Sequence, residues 1–255
     1  MDKVTIKNYH KNDKFADKML ELSAEQEKKY VKKVRLCQKS LLEIAKAFKK
    51  GEDEYNKGWD ENIREEQEDG SVITLHQRDG EDGLKYTKIT SHINVPAKDA
   101  LRWSSDMENI PKFDDYIKNM CIHSDLSGKI PTLSKNEENK RGYGLAKVEI
   151  HGVSYVVTGR DFVVVIGFEE LDNGICLAPM TSVEHEGLPP TDLVRGNITN
   201  HGSIFIPDKD KKGCTVINVN HIDMNGWIPA SVMNLITNNI DVCKRMRKSI
   251  QSEFK

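Results

Sequence analysis

The stretch DMNGWIPASVMN, Asp223 to Asn234, compresses a strand end, a tight turn and a helix start into one short run. Thr215 to Ile222 before it alternates apolar and polar residues as a strand does. Asn225-Gly226 supplies the turn, and Pro229 suits a first helical turn, where its missing N–H is not needed. From Pro229 to about Ser249, Met233, Ile236, Ile240, Cys243 and Met246 mark one helical face, with Val232, Leu235 and Ile250 beside it. Lys244, Arg245, Arg247 and Lys248 load the end that the helix dipole makes negative. A long closing helix that begins directly off a strand is placed to cover an open sheet.

Upstream of this run the chain reads as strands. Tyr143–Ile150, Ser154–Val157, Asp161–Phe168, Ile175–Glu184, Leu193–Thr199 and Ser203–Ile206 are extended segments between Gly, Asn and Asp turns, with hairpins at Asp172-Asn173-Gly174 and Asp208–Gly213. No long helix separates them, so the sheet is expected to be antiparallel. Val72–His76 and Lys85–Val95 add strands in the first half, and Pro96 and Pro111 open two short helices, Ala97–Trp103 and Lys112–Met120. Lys129–Arg141 reads as a polar loop. At the other end, Tyr30, Val34, Cys37, Leu41, Ile44 and Phe48 recur at helical spacing, with Ser23 and Gln26 as a capping box and Gly51 as terminator. The expected architecture is α+β: an N-terminal helix, a curved antiparallel sheet interrupted by two small helices, and a closing helix. It forms one domain over 23–255 after a polar extension over 1–22.

Composition narrows the function. With 37% hydrophobic and 31% charged residues the chain has the make-up of a soluble globular protein, and no apolar run approaches the roughly 20 residues that span a bilayer. The polar start MDKVTIKNYHKND lacks a secretory core. The five cysteines are widely spaced and odd in number, which fits reduced cytoplasmic thiols and offers no CxxC metal or redox pair. Ala24–Lys50 carries nine basic and three acidic residues, Gly51–Asp82 three basic and twelve acidic. These are solvated faces, or the basic helix is drawn to an anionic membrane surface. Overall neutrality and few aromatics in the basic stretch argue against nucleic acid.

The ordered motifs Gly159-Arg160-Asp161-Phe162-Val163, Ser182, Pro189-Pro190, Val194-Arg195-Gly196, Gly202–Pro207 (GSIFIP) and Asp223–Pro229 with Asn234 resemble the START family of lipid-transfer domains. The similarity is strongest from Tyr143 to Lys248 and extends from Trp59. It implies a helix-grip fold with a lipid tunnel between sheet and closing helix. The implied function is non-catalytic binding and transfer or sensing of one lipid, with phospholipid first and a sterol or other apolar metabolite, a ligand-gated scaffold or a helix-grip cyclase or hydrolase as alternatives. No cofactor and no metal are implied.

Expected ligand contacts are Val163, Val165, Ile166, Met180, Ile198, Met233, Ile236 and Ile240, together with Trp227, which wedges the start of the closing helix against the sheet. Phe168 and Leu171, in the loop Gly167–Gly174, are the expected gate and membrane contact. The basic end of the closing helix is expected to steer toward anionic headgroups. Arg160, Asp161, Arg195 and Asp223 are expected to tie strands and turns together. Glu184 with His185, and His221 with Asp223, are the acid–base pairs an enzyme reading would need. Ile166 stands where several sterol- and phosphatidylcholine-type members carry an arginine, six residues beyond the arginine of RDF, so the familiar buried charge is not expected here.

Overall fold

The computed structural model describes residues 9–10, 19–126, 140–152, 157–228 and 239–255. The helix start at Pro229, with Met233 and Ile236, lies outside the described residues. So do most of the extension over 1–22, the loop over 129–139 and the strand over 154–156.

In chain order the elements are β1 (Tyr9–His10), α1 (Ala24–Lys50), α2 (Glu52–Asn56), β2 (Asp60–Glu66), β3 (Val72–Asp79), β4 (Lys85–Ile93), α3 (Ala97–Ser105), α4 (Ile110–Phe113), β5 (Ile117–Asp125), β6 (Arg141–Ile150), β7 (Arg160–Glu170), β8 (Cys176–Ser182), β9 (Val194–Arg195), β10 (Asn197–Pro207), β11 (Cys214–Asp223) and α5 (Ile240–Glu253). The strands form one curved sheet in the order β1-β5-β6-β7-β8-β10-β11-β4-β3-β2, with the short β9 parallel to β7. All other pairings are antiparallel, as the absence of intervening long helices implies.

Helix α1 begins as its capping box dictates. Gln26 N donates to Ser23 Oγ at 3.2 Å and Ser23 N to Gln26 Oε1 at 2.9 Å. Its buried stripe, Tyr30, Val34, Cys37, Leu41 and Ala45, lies on one face of the sheet. Polar hooks fix the contact: Lys33 Nζ donates to Ser182 O at 2.9 Å and Cys37 Sγ to Asn200 Oδ1 at 3.0 Å. Helices α3, α4 and α5 cover the opposite face with Trp103, Met246 and Ile250. The tight turn expected at Asn225-Gly226 forms, with both residues left-handed at φ 48° and 68°.

Two elements depart from expectation. The second short helix is a single turn, Ile110–Phe113, and the residues after it enter strand β5; Met120 and Ile122 point to the core while Asn119 bonds Glu149 Oε2 at 3.0 Å on the other face. Alternation of period two outweighs a proline's helix signal here. Strand β2, DENIREE, was not expected because almost every residue is polar; it forms as the sheet's exposed outer strand.

Below α2, Lys88 of β4 is fully buried. Its ammonium donates to Tyr55 O and to Asn56 Oδ1 at 3.2 Å and lies 3.4 Å from the Tyr55 ring centroid and 4.7 Å from that of Trp59. The basic residues fall in the middle of α5, which runs on to Glu253 with none in its last turn, rather than at its end, and three of the four are paired within the protein. Lys244 pairs with Glu65, Arg245 with Asp115 at 2.7 Å, and Arg247 with Asp69. Those three cations tie the closing helix to β2, the turn after β2 and the segment after α4, while Lys248 stays exposed.

Candidate ligand tunnel

Period-two alternation sends Phe162, Val164 and Ile166 of β7 to the face covered by α3–α5, and Val163 and Val165 to α1. The first face is not fully packed. Two chambers of about 230 and 190 Å³ lie between it and the helices, and joined they reach the size range of small-molecule pockets. They share Asp114, Ile117, Met120, Met180 and His201, which form a waist. The first chamber adds Ile122, Ile166, Phe168 and Met246; the second adds Phe162, Ile198, Ile222 and Met224.

Gly142 and Gly144 leave the β6 side of the first chamber bare of side chains, opposite Phe168 and Ile166. Ile166 sits between Gly144 on one strand and Met180 on the other, so this part of the wall is apolar.

Polar groups enter from one side. A register shift between Ile198 and Asn200 in β10 breaks the alternation, so Asn200 faces α1, where its Nδ2 donates to Ser40 Oγ at 2.8 Å, and His201 turns inward. His201 Nδ1 meets Asn220 Oδ1 at 2.6 Å, Asn220 Nδ2 donates to Thr87 Oγ1 at 3.3 Å, and Ser203 Oγ donates to Asn218 Oδ1 at 2.7 Å. His201 lies deep in the protein yet keeps accessible surface, because that surface faces the cavity. Burial lowers its pKa, the Asn220 contact opposing the shift. Across the waist, burial raises the pKa of Asp114 against two main-chain N–H donors. Burial thus acts on both groups in the direction of their uncharged forms.

The START domain model matches residues 39–253. The chain belongs to the START domain family. Solved structures of this fold include human StAR-related lipid transfer protein 5, at 14% identity and TM-score 0.62 over 87% of this chain and 99% of that one. The lipid transfer and protein localization domain of human StarD13 (DLC2) aligns at 18% identity and TM-score 0.57, covering 76% and 89%. The STAR-related lipid transfer protein of Xanthomonas axonopodis aligns at 16% identity and TM-score 0.58, covering 76% and 99%. No sequence among the curated proteins matches closely enough to show a relative.

Within this START domain the residues singled out from sequence divide into groups. Ile166, Met180 and Ile198 line the tunnel. Val163 and Val165 do not; they pack under α1 with Tyr30 and Val34, because the strand's parity is one residue out from that expected. Ile240 packs on Ile73, Leu75 and Ile89 of β3 and β4, while Val242, Cys243 and Met246 of the same helix reach the first chamber. Trp227 is 73% exposed and wedges nothing among the described residues. Phe168 is no surface gate: it is buried in the core with Trp103 and Met246, since β7 runs on through Glu170. Leu171 packs beside Leu177 and Ile204 on the α1 face.

Asp161 takes both oxygens to Arg195 at 2.9 Å, with Lys147 at 3.7 Å, and so pins β9 to β7. Asp223 Oδ1 accepts from Asn225 N at 2.8 Å and shapes the turn. His185 Nδ1 accepts from Gly187 N at 3.0 Å, and His221 meets Asp82 at 3.1 Å while stacking on Tyr86. Neither pair reaches the cavity. The described residues hold no cluster of His, Cys, Asp and Glu with metal-binding geometry. Sequence reasoning missed His201, Asn218 and Asn220; the break in alternation at Thr199–Asn200 was the available signal.

Proposed function

We propose that this protein takes one lipid molecule into the two-chamber tunnel and carries it between membranes, or reports its presence, without making or breaking a bond. The observation that carries the reading is a pair of adjoining, mostly apolar chambers that share five lining residues, in a chain of the START domain family. Each buried CH₂ of an acyl chain is worth about 0.8 kcal/mol, so a lipid leaves a bilayer readily only if an equivalent solvent meets it. Several structural relatives are lipid transfer proteins by name, which supports the same reading. A phospholipid is the proposed cargo. Ile166 in the apolar wall argues against a carboxylate–arginine pair at that point, and a sterol or other apolar metabolite is the competing cargo.

The contact with an anionic bilayer is assigned to the outer face of α1, where Lys28, Lys29, Lys32, Arg35 and Lys39 are exposed around Leu36, itself 60% exposed. Each such cation adds about 1 kcal/mol near a negative surface. Five unpaired, buried cysteines support a reducing, cytoplasmic setting, and residues 23–255 are taken as one domain. Native mass spectrometry of the purified protein followed by lipid extraction tests the reading. One bound phospholipid per chain is expected; a ligand-free protein that takes up no lipid from vesicles overturns it.

A further inference from the structure

Arg160 opens β7 beside the second chamber, at the end where Lys85, His151 and Thr158 are exposed to solvent. The residue is only 2% exposed. Three of its five N–H groups donate to main-chain carbonyls: Nε to Met224 O at 3.1 Å, Nη2 to Asn225 O at 3.0 Å, and Nη1 to Thr158 O. The other two have no acceptor among the described residues, and no described carboxylate lies within ion-pair distance. Its neighbour Asp161 points to the opposite face, where Arg195 and Lys147 hold it.

A guanidinium withdrawn from water is stabilised by an opposite charge or by a full set of acceptors. Among the described residues Arg160 has neither, and burial lowers its pKa. The described lining of the first chamber includes no Lys or Arg, whereas the second has Arg160 and Lys85, the latter held by Asp79 at 2.5 Å. Among the described lining residues the cationic side chains therefore belong to the second chamber.

We propose that Arg160 anchors an anionic headgroup, a phosphate or a carboxylate, on the lipid that the tunnel carries, with the acyl chain running past the waist into the first chamber. The assignment rests on the lipid-carrier reading above. The two open N–H groups, one on each terminal nitrogen, match the paired oxygens of such a headgroup.

The test uses the wild-type full chain and displacement of an NBD-labelled monoacylglycerol. Oleoyl lysophosphatidic acid is compared with monooleoylglycerol, and oleate with oleyl alcohol, each pair differing in the anionic group. Charged hydrogen bonds predict about a ten- to hundredfold preference for the anionic member of at least one pair, and which pair shows it separates phosphate from carboxylate. Equal binding within both pairs overturns the anchor and leaves the carrier reading standing; binding of none of the four, with no co-purifying lipid, overturns the carrier reading itself. Thr158→Glu sets a competing carboxylate at the mouth without altering the main-chain carbonyl that Arg160 uses, and it is expected to remove most of the preference. Arg160→Gln is expected to do the same if it folds. If it does not, the Arg160 Nε–Hε resonance of the wild type decides: a shift with the anionic but not the neutral partner supports the anchor, and no shift with either refutes it.

Discussion

Lys88 allows a quantitative test of how the sheet is covered by α2. Its amine is fully buried against Tyr55, Asn56 and Trp59, and burial followed by repulsion from Arg78 pulls its pKa from 10.5 down to about 7. In the unfolded chain the amine stays protonated up to about pH 10.4, so between these values unfolding takes up a proton and stability rises with pH. At about 1.36 kcal/mol per pKa unit, full linkage raises stability by about 2 kcal/mol from pH 7 to pH 9. Lys88 lies near the sheet's outer strands under a thin cover, where solvent screening reduces the gain to roughly 1 kcal/mol. Lys88→Met removes the titrating group and keeps much of the volume. Urea denaturation of both proteins at pH 7, 8 and 9 therefore gives a stability difference, variant minus wild type, that is largest at pH 7 and shrinks by about 1–2 kcal/mol by pH 9. Ionisation of the cysteines is common to both proteins and cancels. A difference that is flat with pH, or that grows, would falsify the burial of an unpaired amine at this position.

Other outcomes follow from which face each side chain occupies. Met180→Trp fills the waist, and lipid uptake from fluorescent vesicles is expected to fall to background with a stability change within about 1–3 kcal/mol, since the ring enters free space. Val163→Ala is expected to cost about 1–2 kcal/mol in denaturant while leaving transfer per folded molecule unchanged, because the residue faces α1. Phe168→Ala is expected to lose about 3–5 kcal/mol and to lower the Tm, in contrast to a gate residue, whose loss slows extraction alone. Trp227→Ala is expected to leave stability within about 0.5 kcal/mol; a large loss would show that the indole does hold the closing helix.

The fold was largely legible because its strands and α1 follow simple periods. Ser23, Gln26 and the stripe from Tyr30 to Ala45 predicted a helix that forms with its cap, and Asn225-Gly226 adopts the left-handed pair a tight turn requires. What sequence could not settle was parity. A strand apolar on both faces, such as FVVVI from Phe162 to Ile166, gives no sign of which residues face a cavity and which face a helix, so Val163 and Val165 were assigned to the wrong side while Ile166 was placed correctly. The bulge before Asn200 hid the polar side of the tunnel in the same way: one shifted residue turns His201 inward. Strand β2 was hidden by composition, since an outer strand made of charges carries no apolar alternation.

The order of the sheet also bears on how the chain reaches its fold. Strand β4 has its two neighbours in β3 and β11, and the pairing of Ile93 with Cys214 joins residues about 120 positions apart. The meander from β5 to β11 is built from nearer neighbours, whereas β2–β4 is held against it through that one long-range seam. At about 5–20 residues per second, β4 leaves the ribosome roughly 6–24 seconds before its partner exists. Until then the β2–β4 unit offers an unpaired strand of Ile89, Ile93 and their neighbours to any other edge within reach. During that interval the open edge of β4 is the one that β2 does not cover, since β2 pairs on the far side of β3. The late arrival of β11 ends that interval and adds the Asn218, Asn220 and Ile222 side of the tunnel in the same event.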